Sequence, residues 1–141
     1  MKIVQDVLSL TLLVSGLVGV QILLTDGWLW SAAPSHAYGL LGFVIVDLIL
    51  ATAVLVRTSL AAAGAALIAV VQFGAMIADI VLGQPQGVAS IAFRSYLLGD
   101  TAYLGLLFMQ IGILIVAIGA LTAPLIHKHG RWKEASLLRR H

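Results

Sequence analysis

Four apolar runs, roughly Ile3 to Leu24, Tyr38 to Val56, Leu60 to Leu82 and Thr101 to Ile126, occupy most of the 141 residues of this chain. A helix needs about 20 mostly apolar residues to cross a hydrocarbon core of about 30 Å, and each run reaches that length. In lipid every backbone N–H and C=O must be satisfied within the protein, so runs of this length are read as helices. The expected fold is an all-α integral membrane protein: a four-helix antiparallel transmembrane bundle over residues 1–130, with spans near 3–25, 36–57, 59–82 and 101–126. A basic tail follows over 131–141.

The residues left over are too few for a soluble catalytic domain. Hydrophobic residues make up 61% of the chain and charged residues 10%, and there is no cysteine, which removes disulfides and thiolate chemistry. The basic balance of eight Lys and Arg against six Asp and Glu points to membrane topology, not to nucleic acid. With the N-terminus in the cytoplasm, four spans place Lys2, Arg57, Lys128, Arg131, Lys133, Arg139 and Arg140 on the cytoplasmic side, and only Arg94 outside. That bias is the one short loops impose on insertion. Both termini are therefore expected in the cytoplasm of a multi-pass cell-membrane protein. Ser31-Ala32-Ala33 imitates a signal-peptide cleavage site, but the first apolar run is long for such a signal and is read as a retained helix.

Punctuation agrees with four spans. Asp26-Gly27 ends the first, and Pro34-Ser35 opens the second with Ser35 as expected N-cap. Arg57-Thr58-Ser59 reads as a tight turn. Gly83-Gln84-Pro85-Gln86-Gly87 reads as a loop, and Val88 to Leu98 as a short helix lying along the outer interface. Trp28, Trp30, Tyr38, Tyr96 and Tyr103 all fall near that interface, where amphipathic rings prefer to sit.

Helix faces carry the next layer of information. Gly105, Gly112 and Gly119 recur every seven residues and make one face of the fourth span nearly flat, while Ser15 and Gly19 put small residues on the first and six alanines between 61 and 69 do so on the third. In lipid such faces let backbones approach closely, within the chain or against another subunit.

Polar residues inside the spans are the functional candidates. Asp47 lies about eleven residues into the second span, near mid-depth, where a carboxylate must face the bundle, be protonated or be paired. Gln72 and Gln110 lie at a similar level, with Asp79 and Tyr103 seven residues outward of Gln72 and Gln110 respectively. An intramembrane polar layer of Asp47, Gln72 and Gln110, with Asp79 and Tyr103 above it, is expected as a structural clasp or a proton relay. At the outer end His36, Asp26, Asp79 and Asp100 form a candidate cofactor or metal site. His127 and His129 belong to the opposite end and cannot share an iron with His36. No cofactor is predicted; haem, a quinone or a metal at His36 is the low-ranked alternative. Lys128, Arg131, Lys133, Arg139 and Arg140 suit anionic lipid head groups.

The expected partners are the lipid bilayer and other membrane subunits or further copies of the chain, without nucleic acid. No catalytic motif is evident. The first functional expectation is a non-catalytic integral subunit or oligomerising component of a larger membrane complex, a respiratory one being a candidate. A small proton- or cation-coupled transporter or channel using Asp47 ranks second, and a haem-, metal- or quinone-binding redox protein using His36 third.

Overall fold

The apolar runs fold as helices throughout in a computed structural model, which describes residues 2–56, 58–82 and 90–138, with side chains left out at 58, 90, 91 and 124–138. The elements are α1 (Lys2–Thr25), α2 (Gly27–Ala32), α3 (Pro34–Val56), α4 (Thr58–Leu82), α5 (Ser90–Gly99) and α6 (Thr101–Leu138). Four helices are long and apolar enough to cross a membrane, over Lys2–Thr25, Pro34–Val56, Ser59–Leu82 and Thr101–Ala123. They mark a multi-pass membrane protein. The long helices close a ring in which α1 packs on α3 and α6, and α4 on α6 and α3, while the short α2 and α5 sit at one end.

Local chemistry sets the boundaries. The Asp26 side chain accepts a hydrogen bond from Leu29 N at 2.9 Å and so caps α2, a short helix that the punctuation of 26–35 concealed. Ser35 is not the cap of α3. Pro34 takes the first helical position, where its missing N–H costs nothing, and the Ala33 carbonyl accepts from His36 N at 3.0 Å. Asp100 caps α6, its Oδ1 accepting from Ala102 N at 2.8 Å and Tyr103 N at 3.3 Å. At the far end of α4, the Arg94 guanidinium donates to the carbonyls of Ile80 at 2.8 Å and Val81 at 2.9 Å, groups that a helix C-terminus leaves without partners. Thr58 and Ser59 of the expected turn belong instead to the start of α4, and α3 extends to Val56. The Gly83–Gly87 loop and Arg57 lie outside the described residues, as do the side chains of Lys128, Arg131, Lys133, Arg139 and Arg140.

Helix α6 runs on to Leu138 instead of ending near 126, giving 38 residues and a length of roughly 57 Å. Lys, Arg, Glu, Ala and Leu, all good helix formers, occupy much of the sequence after 125.

Two apolar clusters fill the ring. One lies toward the α2/α5 end and includes Ile22, Ala37, Met76, Phe93, Leu97 and Leu106; the other lies toward the opposite end and includes Leu8, Leu12, Val54, Ala65, Ile113 and Ala117. Of the six alanines of α4 expected on a small-residue face, Ala61, Ala62, Ala65 and Ala69 are buried in the second cluster with Ala117 and Ala120 of α6, Ala66 is partly buried against it, and Ala63 is exposed.

Helices α1 and α3 approach each other closely at two glycines of α1. A Cβ built on Gly16 would lie 2.9 Å from Leu48 Cδ2, and one on Gly19 would collide with Val44 Cγ2. The glycine stripe of α6 behaves differently. Nothing among the described residues comes within 4 Å of a Cβ built on Gly105, Gly112 or Gly119, so none of them packs closely against that face.

Val44 is buried and β-branched, with little rotamer freedom to retreat. Gly19→Ala should therefore destabilise the protein by about 1–3 kcal/mol through overpacking. A lower melting temperature by circular dichroism in detergent is the expected reading, and an unchanged one would contradict the α1–α3 contact.

Candidate functional site

Between the two apolar clusters lie the four buried polar side chains, Ser15, Asp47, Gln72 and Gln110, each 1% exposed. One comes from each long helix. The expected layer exists, but its wiring differs from the pattern read along the helices. The Ser15 hydroxyl donates to Asp47 Oδ2 at 2.7 Å, and Gln110 Nε2 donates to Ser15 Oγ at 3.2 Å and, more weakly, to the Leu106 carbonyl at 3.4 Å. Ser15 thus joins α3 to α6 through α1. It was legible only as a small residue on a packing face, because nothing along the chain indicates that a hydroxyl 32 residues away meets Asp47. Asp47 Oδ1, Gln110 Oε1 and Gln72 Oε1 have no partner among the described residues.

Gln72 stands apart from the Ser15 chain. It lines a cavity of about 320 Å³ in the half of the bundle nearer α2 and α5. The side walls are Ile22 of α1, Leu40 and Phe43 of α3, Met76 of α4 and Leu97 of α5. Ser35, His36, Asp79, Asp100 and Tyr103 also line it. Helix α5 covers this end as an aromatic lid. Phe93 is fully buried, its ring 5.1 Å from that of His36, 6.0 Å from Trp28 and 6.5 Å from Tyr96, while Trp28 and Tyr96 lie 4.1 Å apart. The Arg94 contact with the end of α4 fastens the lid.

The polar side chains of the cavity are partly committed. His36 Nε2 lies 3.0 Å from Asp79 Oδ1, joining α3 to α4. A carboxylate requires a donor there, so the proton sits on Nε2, and Nδ1 is left to accept from the Ser35 hydroxyl at 3.3 Å. The Tyr103 hydroxyl donates to the Met76 carbonyl at 3.2 Å. Asp79 and Tyr103 therefore stand above the polar layer as expected, but they bond to His36 and to backbone, not to the glutamines.

The proposed gathering of His36, Asp26, Asp79 and Asp100 at one metal is corrected by these contacts. Only His36 and Asp79 meet; Asp26 is occupied as the cap of α2 and Asp100 as the cap of α6. Among the described residues no group of three His, Asp or Glu side chains is placed to hold a metal ion. What remains is a mostly apolar and aromatic chamber with a His–carboxylate pair and a carboxamide in its wall, a lining suited to bind and orient a small molecule. Its volume falls at the lower end of the range of about 300–1,000 Å³ typical of such sites. Comparison with protein-family models, with curated proteins and with solved structures finds no match for this chain.

Removing the Asp47 carboxylate leaves the Ser15 hydroxyl without its acceptor. Asp47→Leu should cost about 1–3 kcal/mol, whereas Asp47→Asn retains an acceptor oxygen and should cost less. Thermal melting of the two purified variants gives the comparison, and an Asp47→Leu protein as stable as the parent would show that the clasp contributes nothing.

Proposed function

We propose that this protein is a cell-membrane binding component that holds a small, largely apolar molecule with a hydrogen-bonding head group in the cavity beneath α5. The cavity carries this reading. It combines aromatic walls with a His36–Asp79 pair and with Gln72, a buried side chain whose carbonyl oxygen has no partner among the described residues. Apolar and aromatic walls with a few convergent polar groups are the usual make-up of a small-molecule site. Asp47 lies outside the cavity lining and is bonded to Ser15, which favours a structural clasp over a transport site.

Protein purified in mild detergent should release a small amphipathic molecule into organic solvent at a fixed ratio to chain, identified by mass spectrometry. Added back at about a hundred times its Kd, that molecule should stabilise the fold by about 2.7 kcal/mol. An extract containing only bulk phospholipid, with no probe raising the melting temperature, would count against the reading.

In the bilayer the four spans run antiparallel, with both termini in the cytoplasm and α2 and α5 outside, as the distribution of Lys and Arg supports. Cysteines at Ser95 and Ser136 should then label from opposite faces of sealed vesicles; labelling of both from one face would refute this orientation.

A second reading is favoured by the open glycine face of α6. Gly105, Gly112 and Gly119 leave room for close approach by a helix from outside the chain, as in a homo-oligomer or a larger membrane complex. Gly112→Leu should lower the particle mass measured by light scattering. Equal masses for variant and parent would exclude this face as an interface.

A further inference from the structure

Which lining residues are exposed shows where the cavity opens. Ile22, Leu29, Met76, Phe93 and Leu97 are all buried, so α1, α2 and α5 close their sides of the chamber. Among the lining residues Ser35 and Gly39 of α3 and Ala75 of α4 are exposed, all within the spans Pro34–Val56 and Ser59–Leu82. A Cβ built on Gly39 meets nothing among the described residues within 4 Å. The mouth therefore runs between α3 and α4, from Ser35 at the end of its span to Gly39 and Ala75 within the spans, and these small residues leave it wide. A ligand using it is already dissolved in the membrane.

The lining also describes the ligand's head. Phe43 and Tyr96 line the cavity and are partly exposed, so they present aromatic surface that favours a flat π ring. Two polar stations stand on α4, Asp79 with its partner His36, and Gln72. They are seven residues apart, a rise of about 10 Å along the helix. A six-membered ring carrying oxygens at opposite ends is about 5 Å from oxygen to oxygen, and one hydrogen bond of about 2.9 Å at each end brings the span to roughly 11 Å. A molecule with one polar end, such as a long-chain alcohol, would leave one station unmet. The Gln72 carboxamide serves either oxidation state, turning its NH2 or its carbonyl toward the ring; at the other station the His36 N–H is committed to Asp79 Oδ1, and the remaining carboxylate oxygen accepts from a quinol hydroxyl.

We propose that the cavity holds the head group of a lipid-soluble para-quinone or its quinol, reached from the bilayer between α3 and α4, with Gln72 and the His36–Asp79 pair hydrogen-bonding its two ring oxygens. This rests on reading the cavity as a ligand site.

The test is a titration of the full chain in nanodiscs with decylubiquinone, followed by quenching of tryptophan fluorescence, since Trp28 touches the lid. Decylbenzene, which has a ring and the same tail but no oxygens, is the control. Decylubiquinone should quench saturably and resist displacement by decylbenzene. Gly39→Leu, which fills the mouth without meeting another atom at Cβ, and Gln72→Leu, which removes one station, should each weaken binding about tenfold, or about 1.4 kcal/mol. Ala75→Leu replaces Gly39→Leu if the latter melts below the parent. Equal binding of decylbenzene would overturn the quinone assignment and leave the cavity reading standing. Undiminished binding in a folded mouth-filling variant would overturn access from the bilayer. If neither probe binds, the cavity reading itself fails together with this one.

Discussion

Apolar side chains have little to gain by leaving lipid for a protein interior, so a bundle of membrane helices needs directional contacts to choose one arrangement. Here those contacts are the hydrogen bonds from Ser15 to Asp47 and from Gln110 to Ser15. They tie α1, α3 and α6 together at one level, and misplacing any of the three helices along its axis would strand a polar group where water cannot satisfy it. The apolar clusters above and below follow from that register. So does the close fit of α1 on α3, where Gly16 and Gly19 allow Val44 and Leu48 to approach the α1 backbone.

The half of the bundle nearer α2 and α5 departs from this economy. The opposite half is closed by alanine against alanine, whereas here large aromatic side chains and a short helix roof an empty volume. The roof is anchored by polar caps: Asp26 at the start of α2, Asp100 at the start of α6, and Arg94 across the end of α4. Arg94, the one basic residue in α5, satisfies carbonyls at the end of α4.

Placing the cavity beside the polar layer, instead of within it, separates two tasks. Asp47 is bonded to Ser15 and holds helices together, and the polar side chains lining the cavity include His36, Asp79 and Gln72. The His36–Asp79 bond spans α3 and α4 at the side where the chamber opens. It therefore both joins the two helices that flank the mouth and presents polar atoms to whatever lies inside.

Membrane-spanning helices, their number and most of their ends were determined by the sequence alone, because length and hydropathy act locally and Asp100 and Pro34 mark boundaries through their own backbone chemistry. The depth of Asp47, Gln72 and Gln110 was equally legible, since rise per residue is constant. Partnership was not. That Asp47 meets Ser15 and not Gln72, and that His36 meets Asp79 while Asp26 and Asp100 turn to helix caps, depends on how helices rotate about their axes, which no run of residues states. The glycine stripe of α6 shows the same limit: its spacing was plain, but only the tertiary structure decided that Gly16 and Gly19 would receive the neighbouring helix and leave Gly105, Gly112 and Gly119 open. The cavity belongs wholly to the tertiary level, because its walls are surfaces brought together from six helices and it has no sequence of its own.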